Sequence, residues 1–266
     1  GGTIIILPEN ELFCPSDYIV REKINFWFSV PTLGNFMNQL RVLKPNVFPS
    51  LKYSLFCGEP LLVNTAKAWL ISANNSSLEN LYGPTEATIS ITKYNFTDKD
   101  FNKTYHNDVV PIGKPFNQQK VKLIDDEENL IKKGSIGELI LAGEQITKGY
   151  LNDRVKTNKS FKLMNWDKEN KIWYKTGDLV FTNKYDQLEY VKRKDKQIKI
   201  GGRRIEIGEI ENAIRKNSNL NNIVIVPQNN NAGVIEYLVA FVTQDLNSNQ
   251  IEIIKEKCKN SVENIF

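Results

Sequence analysis

The sequence predicts a mixed α/β fold that continues into a β-rich subdomain and ends in a small α+β unit. Up to about residue 108, strand-like apolar and aromatic runs alternate with helical patterns, which is typical of α/β layers with a largely parallel sheet. From about Val109, short strand-like runs are separated by turn residues, which favours a β-rich subdomain. From Asp195, strands and helices mix again after a run of charged residues, and we expect a domain boundary there.

Periodicity in the first part predicts three strands and three helices. The strand-like runs are β-branched or aromatic, and loop or turn residues follow them. Thr32 stands before an apolar helical pattern and is a candidate N-cap. The predicted strands are Thr3–Leu7, Asn25–Val30 and Tyr53–Cys57, and the predicted helices are Pro15–Lys23, Leu33–Leu43 and Leu61–Ser72.

The same patterns predict the elements of the β-rich subdomain and of the last unit. Asn152–Glu169 is polar and is expected to be a loop with one helical turn, and Gly201-Gly202 is an expected turn. The predicted strands are Val121–Asp125, Gly137–Ala142, Leu179–Thr182, Leu188–Val191, Gln197–Ile200, Asn222–Val226 and Glu236–Val242, and the later helices are Ile207–Lys216 and Asn249–Glu263. The expected domains are therefore residues 1–194 and residues 195–266.

Composition limits the classes of protein to which the chain can belong. With 266 residues, 41% of them hydrophobic, the chain can bury a large core without disulfides. The net charge of +4 is too small for the concentrated basic face of a nucleic-acid-binding protein. Three widely spaced cysteines form neither a disulfide framework nor a zinc pattern, and the apolar runs are too short to cross a membrane. We therefore expect a cytoplasmic protein with neither a nucleic-acid nor a membrane partner.

The segment Asn80-Leu81-Tyr82-Gly83-Pro84-Thr85-Glu86-Ala87-Thr88 combines several groups that suit a bound nucleotide. A Gly-Pro turn after a strand exposes backbone N–H groups, Thr85 adds a hydroxyl, and Glu86 supplies a hard oxygen ligand for Mg²⁺. Tyr82 offers a flat face on which a purine could stack. The alternative interpretation is a tight turn flanked by polar residues, without a binding role.

Three further segments have both a functional and a structural interpretation. In Tyr174-Lys175-Thr176-Gly177-Asp178-Leu179, Asp178 can accept two hydrogen bonds from a ribose diol, or it can merely cap a turn. The glycine-containing stretch from Gly137 to Leu151 has no obvious catalytic group, and we interpret it as structural. Residues 192–211 form either a solvated charged hairpin before an acidic helix N-terminus or a nucleic-acid surface, and the interleaved acidic residues argue against the latter.

Taken together and in this order, the four segments resemble the core motifs of the adenylate-forming enzymes, which include amino-acid adenylation domains, acyl-CoA synthetases and luciferases. Phe56-Cys57-Gly58-Glu59 and Tyr82–Thr88 are similar to the amino-acid-activating branch, and to D-alanine–carrier protein ligases in particular. Ile205-Glu206-Ile207-Gly208-Glu209 has Gly where acyl-CoA synthetases tend to carry Pro. Lys192 departs from the family, which usually has Gly before the Arg.

The resemblance covers essentially the whole chain and implies a fold. The chain is expected to be the second half of the large α/β N-terminal domain with its β-rich subdomain, followed by a small, incomplete α+β C-terminal subdomain. Asp195 is expected to be the hinge about which that small subdomain rotates between two steps of the reaction.

The resemblance also implies a site for ATP and Mg²⁺. Thr85 and Glu86 are the expected catalytic residues, and Glu86 is the expected Mg²⁺ ligand. Asp178 is expected to hold the ribose hydroxyls. The nucleotide-binding residues that the resemblance implies are Gly58, Glu59, Pro60, Asn80, Leu81, Tyr82, Gly83, Pro84, Thr85, Asp178, Tyr190 and Arg193.

A substrate pocket follows from the same match. Its implied lining residues are Phe28, Leu55, Cys57, Leu81, Ile89 and Ser90. Because Phe28 and Leu81 are large and no charged group enters, a small neutral amino acid fits, such as alanine of either hand, serine or glycine. For Leu55, a place in the core is an equally good interpretation.

The expected activity is therefore ATP-dependent activation of a small amino acid, D-alanine or similar, as aminoacyl-AMP. The amino acid would then pass to the phosphopantetheine thiol of a carrier protein. An acyl- or aryl-CoA synthetase of the same superfamily and a non-catalytic nucleotide- or partner-binding module remain alternatives. The family's phosphate loop, its amine-binding Asp and its C-terminal Lys are not found in these 266 residues, so we expect the chain by itself to be inactive.

Overall fold

A computed structural model describes residues 1–195, 197–200, 202–218, 220, 222–229 and 235–259. Its contacts divide the chain into two compact units, Gly1–Lys194 and Asp195–Phe266. Each unit contains several strands and helices and has its own buried apolar cluster. The mixed α/β fold predicted from the sequence is confirmed.

The first sheet of the larger unit has five strands in the order β1-β2-β3-β4-β5. The strands are β1 (Phe26–Ser29), β2 (Tyr53–Cys57), β3 (Ser77–Tyr82), β4 (Thr92–Phe96) and β5 (Lys114–Pro115), and the helices before and between them are α1 (Ser16–Arg21), α2 (Pro31–Gln39) and α3 (Val63–Ser72). Strands β1, β2 and β3 are parallel, but β4 and β5 pair in antiparallel fashion. The parallel pairing expected from the sequence is thus observed for β1, β2 and β3, whereas a short connection without a crossover helix returns the chain antiparallel after β3.

One face of this sheet is buried in an aromatic core. Trp27 and Phe56 lie on that face of β1 and β2, and together with Met37 of α2 and Trp69 of α3 they join the same apolar cluster. The Phe56 ring meets Trp69 edge-on, with 5.0 Å between the ring centroids. Because side chains alternate along a strand, the residues between these positions point to the opposite face of the sheet.

The second sheet is antiparallel, in the order β10-β9-β7-β6, with β8 paired to β9. Its strands are β6 (Lys120–Ile124), β7 (Gly137–Ala142), β8 (Phe161–Leu163), β9 (Ile172–Thr182) and β10 (Leu188–Arg193), and α4 (Arg154–Ser160) precedes β8. The predicted loop Asn152–Glu169 therefore holds a two-turn helix and a strand. Asp153 caps α4 by accepting a hydrogen bond from the Lys156 N–H at 2.8 Å, and Phe161 is buried.

The smaller unit consists of two hairpins and two helices. Its elements are β11 (Gln197–Ile200), β12 (Arg203–Glu206), α5 (Ile207–Asn217), β13 (Ile223–Asn229), β14 (Ile235–Val242) and α6 (Ser248–Lys259). Ile205, Ile210, Ile214 and Cys258 are buried together in its core. Gly201 of the predicted turn and residues 260–263 of the predicted last helix lie outside the described residues. Every helix in the described part of the chain is too short or too polar to span a bilayer.

Two local predictions were wrong. Thr3–Leu7 is not a strand, because no described strand pairs with it and an unpaired strand is not stable; Ile4 and Ile6 are exposed there. Thr32 is not the N-cap of α2, because the helix already begins at Pro31, whose fixed φ suits the first helical position. The Thr32 N–H instead donates to Glu59 Oε2 at 3.0 Å, so a carboxylate from the loop after β2 binds this helix end.

Candidate functional site

The loop after β3 is a tight turn held at its two ends. The Ile91 N–H donates to the Tyr82 carbonyl at 2.7 Å, and a 3₁₀ helix over Thr85–Ala87 lies between them. A Cβ on Gly83 would lie 2.6 Å from Ser90 Cα, so only glycine allows the two limbs of the turn to approach this closely. The predicted segment is therefore a compact, closed turn at the end of a strand.

Glu86 points inward from this turn, and its neighbour Thr85 is exposed. Glu86 is only 6% exposed, and its Oε1 accepts a hydrogen bond from the Tyr150 hydroxyl at 2.5 Å. The Glu86 carbonyl also accepts from the Thr147 N–H at 2.9 Å. The stretch from Gly137 to Leu151, interpreted from the sequence as structural, thus reaches the acidic residue of the turn.

The residues of the turn fit a Mg²⁺ ion whose other ligands are a phosphate group and water molecules. The described ranges contain no cluster of three or more His, Cys, Asp or Glu side chains that could hold a metal on their own. Mg²⁺ is usually bound by one or two carboxylates together with substrate phosphates and water. A single buried carboxylate in a turn, Glu86, matches that ligand pattern.

Asp178 lies in the middle of a buried hydrogen-bonded cluster. Its Oδ2 accepts from the Tyr82 hydroxyl at 2.5 Å, and its Oδ1 accepts from Arg193 Nη1 at 3.0 Å. Arg193 Nη1 also donates to the Thr176 carbonyl at 2.8 Å. Burial and then the negative charge of Asp178 raise the pKa of the Tyr82 phenol well above its usual range, so the hydroxyl stays a donor. Three residues predicted to bind the nucleotide thus meet, although 96 residues separate Tyr82 from Asp178.

Two of the residues predicted to bind the nucleotide, Tyr82 and Tyr190, are largely covered by other side chains. Tyr82 is 7% exposed and belongs to an apolar cluster with Ala87 and Ile91, so base stacking could use only a small part of its ring. Tyr190 packs partly buried against the same cluster and lies where the pairing of β10 with β9 shifts register before Lys192. Lys192, which departs from the family pattern, pairs with Leu179 just after this irregularity and has no positive φ. Glycine is therefore not required there.

Asn80 has a buried acceptor that lacks a hydrogen-bond partner within the described residues. Its side chain is 2% exposed, and its Nδ2 donates to the carbonyls of Val110 and Pro111 at 3.1 and 3.0 Å. Its Oδ1 is also buried, but no described group donates to it. Leaving a buried acceptor unsatisfied costs about 1–3 kcal/mol, so this oxygen is suited to an amino group of a ligand.

Gly58, Glu59 and Pro60 form the turn that follows β2. Gly58 has a φ of 101°, a conformation that favours glycine. The Glu59 carboxylate accepts from both the N–H and the hydroxyl of Thr32. Glu59 therefore connects this turn to the start of α2.

Four of the six predicted pocket residues lie on the sheet face opposite the aromatic core. Phe28 pairs with Leu55, and Cys57 pairs with Leu81, in the parallel register of β1, β2 and β3. Leu81 and Cys57 are buried, Leu55 is half-buried, and Phe28 is exposed. Ile89 and Ser90 come from the turn after β3, and Cys57 Sγ lies 3.7 Å from the Ile89 carbonyl oxygen. On the sheet, the predicted pocket residues are thus neighbours, and Leu55 lies on the face opposite the aromatic core.

Asp195, the predicted hinge, is the first residue of the smaller unit. The residue before it is fixed, because the Lys194 N–H donates to the Gly177 carbonyl at 2.8 Å. Lys194 Nζ also forms an ion pair with Glu138 Oε2 at 3.4 Å. The backbone is therefore tied to the larger unit up to the residue before Asp195.

The described fold is that of an adenylate-forming protein. Residues 1–151 match the family of AMP-binding enzymes, and the chain belongs to that family.

Similar proteins point to the amino-acid-activating branch. The chain is 29% identical over 245 residues to a D-alanine–D-alanyl carrier protein ligase of Bacillus licheniformis, covering 91% of this chain and 47% of the relative. It is 32% identical over 248 residues to the ligase of that name from Streptococcus equi, covering 91% of this chain and 46% of the relative. The chain thus spans about half the length of the curated relatives it matches.

A solved structure is similar to almost the whole of this chain. The adenylation domain AlmE of Vibrio cholerae, crystallised with glycyl-adenosine-5'-phosphate, superposes with a TM-score of 0.85 at 33% identity. The match covers 97% of this chain and 48% of that one. The described fold is therefore that of half of an adenylation domain.

Proposed function

We propose that the protein containing this chain activates a small neutral amino acid with ATP and transfers it to a carrier protein. The amino-acid carboxylate attacks the α-phosphate of ATP, and pyrophosphate leaves. The phosphopantetheine thiol then attacks the acyl carbon, and AMP leaves. The observation that carries this proposal is the buried, unsatisfied Oδ1 of Asn80, two residues before Tyr82, whose hydroxyl contacts Asp178.

These residues suit the two ends of a nucleoside. Asn80 Oδ1 would accept a hydrogen bond from the exocyclic amino group of adenine. Asp178 keeps acceptor capacity beyond its bonds to Tyr82 and Arg193, so it would accept the ribose hydroxyls. Gly58, Glu59 and Pro60 would pass along the adenine edge.

Glu86 would hold Mg²⁺ beside the phosphates, and Thr85 would contact the α-phosphate with its hydroxyl. When bound, the ion would neutralise charge on the phosphate oxygens as the carboxylate attacks. The protein's own part is to hold the Glu86 carboxylate in one place and to keep most of the surrounding water away.

The substrate side chain would lie against the face formed by Phe28, Leu55, Cys57 and Leu81. All four are apolar or weakly polar, and no charged side chain is among the six pocket residues. This lining supports a small neutral amino acid, D-alanine or glycine in size. The names of the D-alanine ligases and the glycyl adenylate bound to AlmE agree with that class.

The two units would act as a large adenylating domain, residues 1–194, and a small mobile subdomain from residue 195. Asp195 would be the hinge, because it is the first residue of the smaller unit and the Lys194 N–H just before it bonds to the Gly177 carbonyl of the larger unit. We place this activity in the cytoplasm, where ATP is available.

Pyrophosphate exchange by the full-length protein tests this proposal. We expect exchange with glycine, D-alanine, L-alanine or serine, and none with fatty or aryl acids. ATP should be preferred over inosine triphosphate by about tenfold or more, because inosine lacks the amino group that Asn80 Oδ1 would accept. Exchange restricted to fatty or aryl acids would instead identify a CoA synthetase, and nucleotide binding without any exchange would identify a non-catalytic module.

A further inference from the structure

The segment that contains Tyr150 runs directly along the acidic turn. The Thr88 hydroxyl donates to the Gln145 carbonyl at 2.8 Å, and Gln145 Nε2 donates to the Ser90 carbonyl at 3.0 Å. Together with the Thr147 contact to the Glu86 carbonyl, these bonds join the two segments along their length. Thr88 has a φ of 54° and Ile89, which follows it, one of 71°, and such non-glycine conformations persist only where the surroundings hold them. The segment is therefore a support for the turn.

Tyr150 is itself fixed from several sides. Its N–H donates to the Thr157 hydroxyl at 2.9 Å, and its ring meets Phe161 edge-on at 5.6 Å. Lys156 Nζ lies 4.6 Å from the ring centroid on a cation–π contact. Gly149 has a φ of 140°, and a Cβ there would lie 2.5 Å from Thr157 Cγ2. The backbone just before Tyr150 is therefore packed closely against Thr157. The ring therefore has little freedom to move its hydroxyl away from Glu86.

The hydroxyl is a dependable donor to the Glu86 carboxylate. The Tyr150 hydroxyl lies 2.5 Å from Glu86 Oε1, a distance typical of a hydroxyl that donates to an ionised carboxylate. A carboxylate fixed through one oxygen cannot rotate freely, and its orientation is set before a ligand arrives. Partners of this kind, which bind a metal ligand rather than the metal, change metal affinity by about 10–100-fold.

We propose that Tyr150 is a positioning residue, which orients the Glu86 carboxylate so that it binds Mg²⁺ in the ATP complex. The proposal rests on the proposed function, in which Glu86 is the ion's ligand. Tyr150 contacts neither nucleotide nor amino acid in this role, and it acts only through Glu86. It follows that its loss should change metal binding far more than binding of the amino acid.

Metal binding by the full-length protein tests this directly. The probe is Mn²⁺ in the presence of α,β-methylene-ATP, which cannot react, followed by electron paramagnetic resonance. For Tyr150→Phe we expect Mn²⁺ binding to weaken about 10–100-fold, with KM for the amino acid nearly unchanged in pyrophosphate exchange. The matched control is Tyr105→Phe, which removes a similar hydroxyl bond, at 2.8 Å, to the buried carboxylate of Asp100. That control should bind Mn²⁺ as the wild type does.

Two further variants separate the possible failures. Replacing Tyr150 by 4-aminophenylalanine keeps the ring and supplies an N–H donor, so it should restore most of the Mn²⁺ affinity that Tyr150→Phe loses; no restoration would count against the hydrogen bond to Glu86 as the cause. If Glu86→Gln weakens Mn²⁺ binding but Tyr150→Phe does not, the positioning role is wrong and the proposed function stands. If Glu86→Gln leaves Mn²⁺ binding unchanged, Glu86 is not the ligand, and both the metal assignment and the role of Tyr150 are overturned.

Discussion

Two buried carboxylates of the larger unit, Asp100 and Asp178, are held by the same kinds of group, tyrosine hydroxyls and a cation. Asp100 Oδ1 accepts from Tyr94 and Tyr105, both at 2.8 Å, and from Lys103 Nζ at 2.7 Å. Its Oδ2 accepts from the N–H and the hydroxyl of Thr97 and so caps a 3₁₀ helix. Asp178 accepts from one tyrosine and one arginine.

The difference lies in how much acceptor capacity each carboxylate keeps. An ionised carboxylate has about four lone-pair sites. Asp100, which is 2% exposed, accepts five hydrogen bonds from protein groups and has no site left for a ligand. Asp178, which is 4% exposed, accepts two from described side chains, and this leaves room for a diol. The types of residue in the two clusters therefore do not distinguish the two carboxylates, whereas the number of donors to each carboxylate does.

The largest effect on activity is expected from a substitution at Asp195, at the boundary between the two units. Arg193 bonds to Asp178 and the Lys194 N–H bonds to the Gly177 carbonyl, so we expect a change of backbone direction to begin at Asp195. In the full-length protein, Asp195→Pro fixes φ at about −65° and removes an N–H, so one orientation of the small unit should become inaccessible.

We expect thiol capture in Asp195→Pro to fall by about 100-fold or more, while adenylation falls less than about tenfold. Single-turnover measurements of the two half-reactions check this. Equal loss of both would indicate misfolding, and no loss in either would remove Asp195 from the mechanism.

The second test removes each of the two compared carboxylates in turn. Asp178→Ala should lower kcat/KM for ATP by about 30- to 1000-fold, because two charge-assisted hydrogen bonds to ribose are worth about 2–4 kcal/mol. Asp100→Ala should lower the free energy of unfolding. The molecules that remain folded should show an unchanged ATP dependence of pyrophosphate exchange. An Asp178→Ala enzyme with unchanged ATP dependence would exclude the ribose role.

The third test uses the alternation of side chains along β3. Leu81 lies on the sheet face of the proposed pocket, and the hydroxyl of Tyr82, next to it, contacts Asp178. Leu81→Ala should therefore shift preference toward larger amino acids by roughly 10- to 200-fold, with KM for ATP unchanged. Exchange assays with alanine, valine and leucine measure the shift. A wild type that already prefers a large or charged amino acid would contradict the small pocket.

The smallest effect concerns stability in acid. Burial alone would raise the pKa of Asp100, but the Lys103 ammonium and the Thr97 N–H outweigh it and lower the pKa from 3.8 to about 2. The ionised carboxylate thus stabilises the folded state above about pH 4, and that contribution is lost as the pH falls through 2.

The loss should amount to about 2 kcal/mol in the free energy of unfolding. Urea unfolding between pH 5 and pH 2 measures it. Asp100→Asn should be less stable at pH 5 and should lack this part of the pH dependence. An equal pH dependence in the variant would assign the acid sensitivity to other carboxyl groups.

Strands with continuous apolar character could be predicted closely from the sequence. Gly137–Ala142 was predicted at its observed bounds, because all six of its residues are buried and no polar alternation blurs its ends. Tyr53–Cys57 was also predicted at its observed bounds. Thr3–Leu7 has the same composition but no partner strand, and composition alone cannot supply one.

The site could be predicted as a set of residues but not as a geometry. Asp178 and Tyr82 were each singled out by local motifs, yet their contact depends on the packing of two different sheets. Tyr150 lay in a stretch interpreted as structural, because a tyrosine after glycine carries no local signal of a carboxylate 64 residues away. Only the register of β7 and the path of the loop after it bring the two together.

The strand order has a practical consequence for handling the protein. β1 lies at the edge of its described sheet, and Phe26, Phe28 and Tyr53 are exposed on one face beside it. Phe26 and Tyr53 already pair, with ring centroids 6.2 Å apart, so the surface is a preformed aromatic ridge along an open strand. Such edges template intermolecular strand pairing. Solutions of residues 1–266 alone should therefore turn turbid as concentration rises, and a lysine in place of Phe26 should keep them clear.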